Sequence, residues 1–542
     1  MKPLPLRLLA IGLGLGCLLS AGVCLQASTV IVTSLNDSGT GSLRDAVNTA
    51  DTVTFNPGLT GVIALTGGSL HIQHNITILG PGAASLTVSN TSGFNSDGRV
   101  FFCQSGTTNW ISGLTIAGGK NLGDNGQNVH KNCDNPLYPT VAPDLGALGA
   151  GGAIYSDGRL TLQDCVLAGN SAVGGSGGSG NPSAGSGCGP FDGDADPKDG
   201  AQGGDAYGGA IYANGLLLAT RCTFAFNSAT GGTGGAGGPP DSPSNFHHTG
   251  GWGGNARGGV VYVQGGHASF VNCTFYGNTA QGGSGGIGSP GANGGNGSDG
   301  AGGAIYLNSG AISAFNNTIS GNASIAGPGG IAANSGQSDG ASGNTYGGGI
   351  HVNSGSTFSI SSTLVALNSS SMPDVGGTVN SQGHNLIGKT DGSSGWIGSD
   401  KTGTVANPLN PLLGPLQNNG GSTPTLELFT GSPAIDAGAT TITTDQRGLP
   451  RIDFAVVPNN SGGDGSDIGA FEIQRLVMDI GLRAFDGLAT NKIAGEYPTV
   501  SPMQIRKNGT NYGVLLVPTN SPYASKFRIQ TTSGTMAMQK LP

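Results

Sequence analysis

Apolar and polar residues alternate over short stretches through much of the chain, as in Leu70-His-Ile72, Ile76-Thr-Ile78, Leu86-Thr-Val88, Val100-Phe-Phe102 and Leu114-Thr-Ile116. A period of two puts one face of a strand in a core and the other outside. From residue 151 the alternation comes in copies. Gly151-Gly-Ala-Ile-Tyr155, Leu160-Thr-Leu162 and Cys165-Val-Leu-Ala-Gly-Asn170 return as Gly208-Gly-Ala-Ile-Tyr212 and Cys222-Thr-Phe-Ala-Phe-Asn227. A third copy holds Tyr262, Cys273, Phe275 and Asn278, a fourth Tyr306, Asn317, Ile319 and Asn322, a fifth His351, Thr363, Val365 and Asn368. A unit of roughly 22 residues cannot bury its own apolar face, so copies stack and equivalent strands pair in parallel at about 4.8 Å per coil. The pattern predicts an all-β chain, a parallel β-helix of about eleven coils and on the order of 55 Å in length, spanning residues 28–400.

Other elements frame this solenoid. Gly41-Ser-Leu-Arg-Asp-Ala-Val47 reads as a short helix with Ser42 as N-cap and Asp45 three residues on, placed to cover the open first coil. The linkers between copies, such as 173–207 and 230–257, are dominated by Gly, Ser, Asn and Pro, lack an apolar period, and are expected to loop out sideways. After 472 glycine thins out, Met478, Met503, Met536 and Met538 appear, and Val514-Leu-Leu-Val517 and Phe527-Arg-Ile-Gln530 suggest strands, so 473–542 is expected to be a small separate β-domain. By position it is the candidate sorting or anchoring module.

Composition narrows the class. The 542 residues include 104 glycines and only 10% charged residues, against usual shares of about 7% and a quarter. Helical proteins avoid glycine, and collagen would need it at every third position with far more than 28 prolines. The net charge of −8 leaves no basic patch for nucleic acid. Met1 to Arg7, the apolar run Leu8 to Leu19 and small residues up to Ala27 read as a secretory signal peptide over 1–27, and no later run reaches 18 apolar residues, so a mature chain without a transmembrane helix is expected.

The Gly-Gly-Ala-Ile-Tyr and Cys-Thr-Phe-x-x-Asn pairing at 208–212 and 222–227 resembles the repeats of polymorphic outer-membrane proteins and related bacterial right-handed β-helix surface proteins, over about 150–370. Val32 to Val47 is similar to the opening segment of that group. Gly383-His-Asn-Leu-Ile-Gly388, Pro411-Leu-Leu-Gly-Pro415, Gly431-Ser-Pro-Ala-Ile-Asp-Ala-Gly438, Asp445-Gln-Arg-Gly448 and Asp467-Ile-Gly-Ala-Phe-Glu472 resemble, in the same order, the choice-of-anchor Q surface proteins. That resemblance implies a right-handed helix, an end of the solenoid over 401–472, and a secreted or surface-attached protein, bacterial and of the outer membrane or extracellular space. It implies no reaction. Nothing after Glu472 supplies the many strands of roughly ten residues that an outer-membrane barrel needs.

Candidate sites follow from the rows that stacking creates. Asn170, Asn227, Asn278, Asn322 and Asn368 are expected to form a structural ladder that satisfies backbone groups at a sharp bend. Cys165, Cys222 and Cys273 form a second row, pointing inward as buried thiols, whereas Cys133 and Cys188 lie in polar loops where a disulfide is conceivable. Tyr155, Tyr212, Tyr262, Tyr306 and His351 follow inward aliphatic residues and so point outward. Rings in a row suit the apolar faces of sugars, against the plainer reading that they stack on one another and cover the strands. Asp192, Asp194, Asp196 and Asp199 alternate on one loop as Ca²⁺ ligands do, but Pro197 stands where a Gly is usual and no Glu closes the loop, so a solvated acidic loop competes. Asp164 and Arg221 are the one charged pair brought together on an outer face, and read as an ion pair.

No aligned carboxylate pair, nucleophile elbow or phosphate loop appears, so no catalytic residue is assigned, and no cofactor beyond a possible Ca²⁺. The expectation is an exported adhesin-like scaffold contacting polysaccharide or cell-surface glycan. The rival is a polysaccharide lyase or glycoside hydrolase of the pectate-lyase-like β-helix class, because fold alone does not set function.

Overall fold

The computed structural model describes residues 28–90, 97–128, 143–180, 199–240, 247–334, 336–454 and 457–474, and beyond them the backbone of six strands. Residues 1–27, expected to be a signal peptide, and Cys133, Cys188, Asp192, Asp194 and Asp196 lie outside the described residues. The chain winds into a parallel β-helix. One face is a 10-stranded parallel sheet running from Gly61–Leu65 to Lys401–Thr402, and Thr29–Val32, which pairs with Thr52–Phe55 one level before the first of these strands, adds an eleventh level. The remaining wall is a 17-stranded sheet of two adjoining columns, which merge in the long strands Ile211–Thr220 and Val261–Val271. Alternation dictates the core: Leu160 and Leu162 of Arg159–Gln163 are buried between partly exposed neighbours, and the same holds for Phe358 and Ile360 of Thr357–Ser361. The first coil is covered by the helix Leu43–Thr49, whose N-cap Ser42 accepts from the Asp45 N–H at 3.2 Å and which buries Leu43, Ala46 and Val47.

Each coil turns sharply at the ladder rows. Asp164, Arg221, Asn272, Asn316, Ser362 and His384 hold the left-handed conformation, with φ between 44° and 56°, immediately before the Cys-row residues. Gly169, Phe226, Gly277, Gly321 and Leu367 do the same before the asparagines. A left-handed non-glycine residue costs roughly 1–2 kcal/mol, and the ladder supplies what holds it there. The ladder starts at Asn170, whose Oδ1 accepts the Gly119 N–H, and from there each asparagine Oδ1 accepts both the backbone N–H and the side-chain amide of the asparagine one coil before, from Asn170→Asn227 at 3.0 and 2.9 Å through to Asn322→Asn368 at 2.9 and 2.8 Å. The series ends on Asp374, which accepts both bonds from Asn368. The cysteine row continues in the same way through Asn317, Thr363 and Asn385 to Asp400.

The glycine-rich inserts do not hang as loops. They form two layers of five segments each, rooted in two five-stranded parallel sheets that begin at Lys120–Leu122 and Gly149–Ala150. Outbound segments bond to one another (Gly123 N to Val173 O, Gly174 N to Thr230 O, Gly231 N to Gln281 O), as do return segments (Gly146 N to Gln202 O, Gly203 N to Trp252 O, Gly253 N to Asn296 O). A second set crosses between layers: Gly204 N to Gly175 O, Gly232 N to Gly204 O, Gly254 N to Gly232 O, Gly283 N to Gly254 O. Bonds recur every third residue (Gly174, Gly177, Gly180), the period of an extended polyproline-type helix. Two of every three residues face a neighbouring backbone, so a Cβ at Gly204, Gly232 or Gly254 would collide with the carbonyl oxygen of Ala147, Gly175 or Gly204. None of these three has a positive φ; closeness, not backbone freedom, demands glycine. The third residue faces out, and where it is Asn or Asp its side chain accepts the N–H of its counterpart one coil on: Asn125 from Ser176, Asp205 from Asn255, Asn296 from Ala341.

Residues 403–474 do not prolong the stack but run back along the outside of the 10-stranded sheet. Gln446 accepts from Thr274 Oγ1 at 2.7 Å and donates to Thr223 Oγ1 at 2.9 Å and Thr423 Oγ1 at 2.8 Å; Ala470 N donates to Thr318 Oγ1, and Ser362 pairs with Ala439. Strands Thr223–Ala225, Thr318–Ser320 and Leu364–Ala366 are consequently buried on both faces. Ion pairs and a cation–ring contact hold this strap together: Arg447 pairs with Asp445 and lies 3.7 Å from the centre of the Phe471 ring, and Arg451 pairs with Glu472 at 2.9 Å. The last strands form a six-stranded antiparallel sheet between Leu476 and Lys540.

Candidate functional site

In-register parallel pairing brings the aromatic row together. Tyr155 pairs with Tyr212, Tyr212 with Tyr262, Tyr262 with Tyr306 and Tyr306 with His351, each beside a fully buried Ile154, Ile211, Val261, Ile305 or Ile350. The rings stack from His71 through Phe102, Tyr155, Tyr212, Tyr262 and Tyr306 to His351, with centroids 4.7–5.6 Å apart. Their faces therefore meet each other. The root of the glycine slab covers much of the outer edge: Tyr207 stacks on Tyr262 at 4.4 Å, and Tyr262 and Tyr306 are only 2% and 7% exposed. Arg257 lies 5.4 Å from the Tyr207 ring centre and 5.6 Å from that of Tyr306, and donates to Tyr207 Oη at 3.0 Å.

The row opens at its far end. Arg257, Asp299, Ala301, Tyr306, Tyr346 and His351 line a hollow of about 200 Å³ in the angle between solenoid and slab. Burial, reinforced by the Arg257 charge, pulls the His351 pKa down to about 4, so the imidazole is neutral at pH 7; burial pushes the Tyr262 phenol up to about 12. The site thus joins a permanent cation, a carboxylate, a neutral imidazole and phenol rings, a set suited to hydrogen-bonding a polar ligand with an apolar face. Arg257, Asp299, Tyr207 and Tyr346 escaped the sequence reading because they belong to the inserts. The available signal was a second aromatic five residues before the row member, Tyr207 before Tyr212 and Tyr346 before His351.

The other candidates divide. The asparagine and cysteine rows are buried structural ladders, and Cys103, Cys165, Cys222 and Cys273 are free thiols, with burial raising Cys103 to about 12. Asp164 and Arg221 pair bidentately at 2.7 and 2.8 Å. Asp199, the one described member of the acidic loop, accepts the Thr249 N–H as an outward slab residue. Among the described residues no three His, Cys, Asp or Glu side chains gather as a metal site would need. No described helix is long and apolar enough to cross a membrane. No protein-family model, curated protein or solved structure matches the chain.

Proposed function

We propose that the chain is an exported cell-surface or extracellular β-helix scaffold of adhesin type, which meets polysaccharide or cell-surface glycan along its lateral faces. The observation that carries this reading is the slab: repeats that already form a solenoid extend sideways into a second, backbone-bonded platform whose outward residues face away from any core. The leader-like start and the motif series between Gly383 and Glu472 support export and surface attachment, with 473–542 as the anchoring or sorting module. A glycosidase or lyase reading is favoured by one feature, the meeting of Arg257, Asp299, Tyr346 and His351 around a single hollow.

One experiment tests both. Purified protein is incubated with a polysaccharide panel, with and without Ca²⁺, and the mixture is resolved by size exclusion with light scattering. The scaffold reading expects intact polymer that co-elutes with the protein. Shortened polymer overturns it in favour of catalysis, and intact polymer without co-elution removes the glycan.

A further inference from the structure

Among the described residues the exposed face of the return layer carries one aromatic ring, Trp252, with Leu145 and Leu148 of the layer's first segment exposed beyond Gln202. Trp252 is 59% exposed, although Gly251, Gly253 and Gly254 around it are buried and its own carbonyl accepts the Gly203 N–H. Its neighbours across the layer, one coil to either side, are Gln202 and Asn296, set by the bonds Gly203 N to Trp252 O and Gly253 N to Asn296 O. Both amides are oriented. Gln202 Nε2 donates to Gly253 O at 3.4 Å, which leaves its Oε1 to accept; Asn296 Oδ1 accepts Ala341 N at 2.9 Å, which leaves its Nδ2 to donate. The indole is therefore flanked by an acceptor on one side and a donor on the other. An isolated ring among amides is a poor protein-docking patch, which wants contiguous apolar area. It matches a pyranose, whose C–H face packs on a ring while its rim hydroxyls both donate and accept.

The same face leads into the hollow. Asp299 stands in the row of outward residues nearer the solenoid, and it also lines the hollow with Arg257 and Tyr346. From Trp252 to Arg257 is five residues, about 15 Å at roughly 3.1 Å per residue. The hollow of about 200 Å³ is smaller than the cavities that enclose drug-sized ligands. Asp199, Asp205 and Asp299 project from this layer, and the chain as a whole carries −8, so a polyuronate would meet repulsion.

We propose that this face binds an uncharged pyranose oligosaccharide, one ring on Trp252 and another in the Arg257–Tyr346 hollow. The inference rests on the glycan reading above and narrows it to a site and a ligand class. The test follows tryptophan fluorescence of the full chain during titration with neutral oligosaccharides of one to four units and with oligouronates, for the wild type, Trp252→Ala, Trp252→Phe and Asp299→Asn, with affinities of the variants read by calorimetry. Expected are affinity that rises with chain length in the neutral series, at least a tenfold loss in Trp252→Ala with recovery in Trp252→Phe, and a several-fold loss in Asp299→Asn, all with unchanged circular dichroism and melting. Wild-type binding that Trp252→Ala leaves intact overturns this site while the glycan reading stands. Tighter binding of uronates, or a monosaccharide that binds as well as a tetramer, overturns the ligand class. A wild type that binds no glycan at all removes both.

Discussion

Asp374 closes the asparagine ladder, and its position explains both its use and its cost. Its Oδ1 accepts the backbone and side-chain N–H of Asn368 at 3.0 and 2.9 Å, the pair of bonds that Asn227, Asn278, Asn322 and Asn368 each receive from the coil before. Unlike them it is a carboxyl. Burial raises its pKa from 3.8 to about 6, against the opposing effects of the Asn368 bonds and the Lys389 charge. Because the folded value lies above the unfolded one, the folded state holds this proton more tightly, and stability falls as pH rises from about 4 to 6. Two pH units correspond to about 3 kcal/mol. Asp374→Asn keeps the accepting oxygen and removes the buried charge, so its melting temperature should exceed the wild type's at pH 7.5, with the gap closing by pH 4. Equal melting at both values would mean that the carboxylate is compensated in the folded state. Ladders of this kind were legible from the sequence, because identical residues at one offset in five copies need nothing but stacking to meet. The terminal aspartates were not, since Asp374 and Asp400 stand at new offsets where the repeat has already decayed.

Among the elements, the solenoid strands announced themselves through a period of two, while the inserts concealed a period of three. Gly174-Gly-Ser-Gly-Gly-Ser-Gly180 and Gly231-Gly-Thr-Gly-Gly-Ala-Gly-Gly238 carry it openly. With no apolar residue to mark a buried side, an apolar-period test reads them as loops. Here burial is of backbone against backbone, so glycine itself is the buried residue, and its large ordering entropy is offset by hydrogen bonds worth about 1 kcal/mol each. Gly232→Ala should therefore expose the slab: the new methyl meets the Gly175 carbonyl, and amides of 171–180 and 279–286 should lose hydrogen-exchange protection while Ile211–Thr220 keeps it. Gly58→Ala, which has nothing within 4 Å of the new methyl, serves as the neutral control. The strap behaves differently, because side chains hold it. Gln446→Ala removes bonds to Thr223, Thr274 and Thr423 and takes from the buried Thr274 hydroxyl the oxygen it donates to, while Thr223 and Thr423 still donate to the carbonyls of Pro424 and Arg221. An unsatisfied buried group costs about 1–3 kcal/mol, so a lower melting point, with protection lost across the strap first, is expected. The strap's motifs were visible in the sequence, but their docking was not: only the outward threonines 223, 274 and 318, on a face that should otherwise be free to vary, hinted at a cover.

At the scale of the whole molecule, two one-dimensional stacks share one chain. In the solenoid each rung touches its two neighbours through strands and side chains; in the slab each hairpin touches its neighbours through main-chain bonds, to which the outward Asn, Asp and Gln side chains add, and the solenoid sets their register at the sheets containing Ser171–Val173 and Ala206–Tyr207. Coupling between nearest neighbours means that position in the array decides the effect of a cut. The outermost insert, 326–344, bonds to the hairpin before it, as in Gly285 N to Pro328 O and Gly297 N to Ala341 O. Replacing it by a short turn should raise exchange in 282–299 alone. The central insert 231–255 bonds on both sides, through Gly177 N to Thr233 O, Gly203 N to Trp252 O, Gly234 N to Ser284 O and Gly253 N to Asn296 O. Its replacement should expose 174–180 and 199–205 together with 282–299, yet leave the rung strands Arg159–Gln163 and Ala311–Phe315 protected, since their partners within the solenoid are unchanged. If the central deletion left both flanking hairpins as protected as before, each hairpin would be stable without its neighbours and the slab would not be a cooperative sheet. If instead the rungs lost protection as well, the slab would be bracing the solenoid rather than hanging from it.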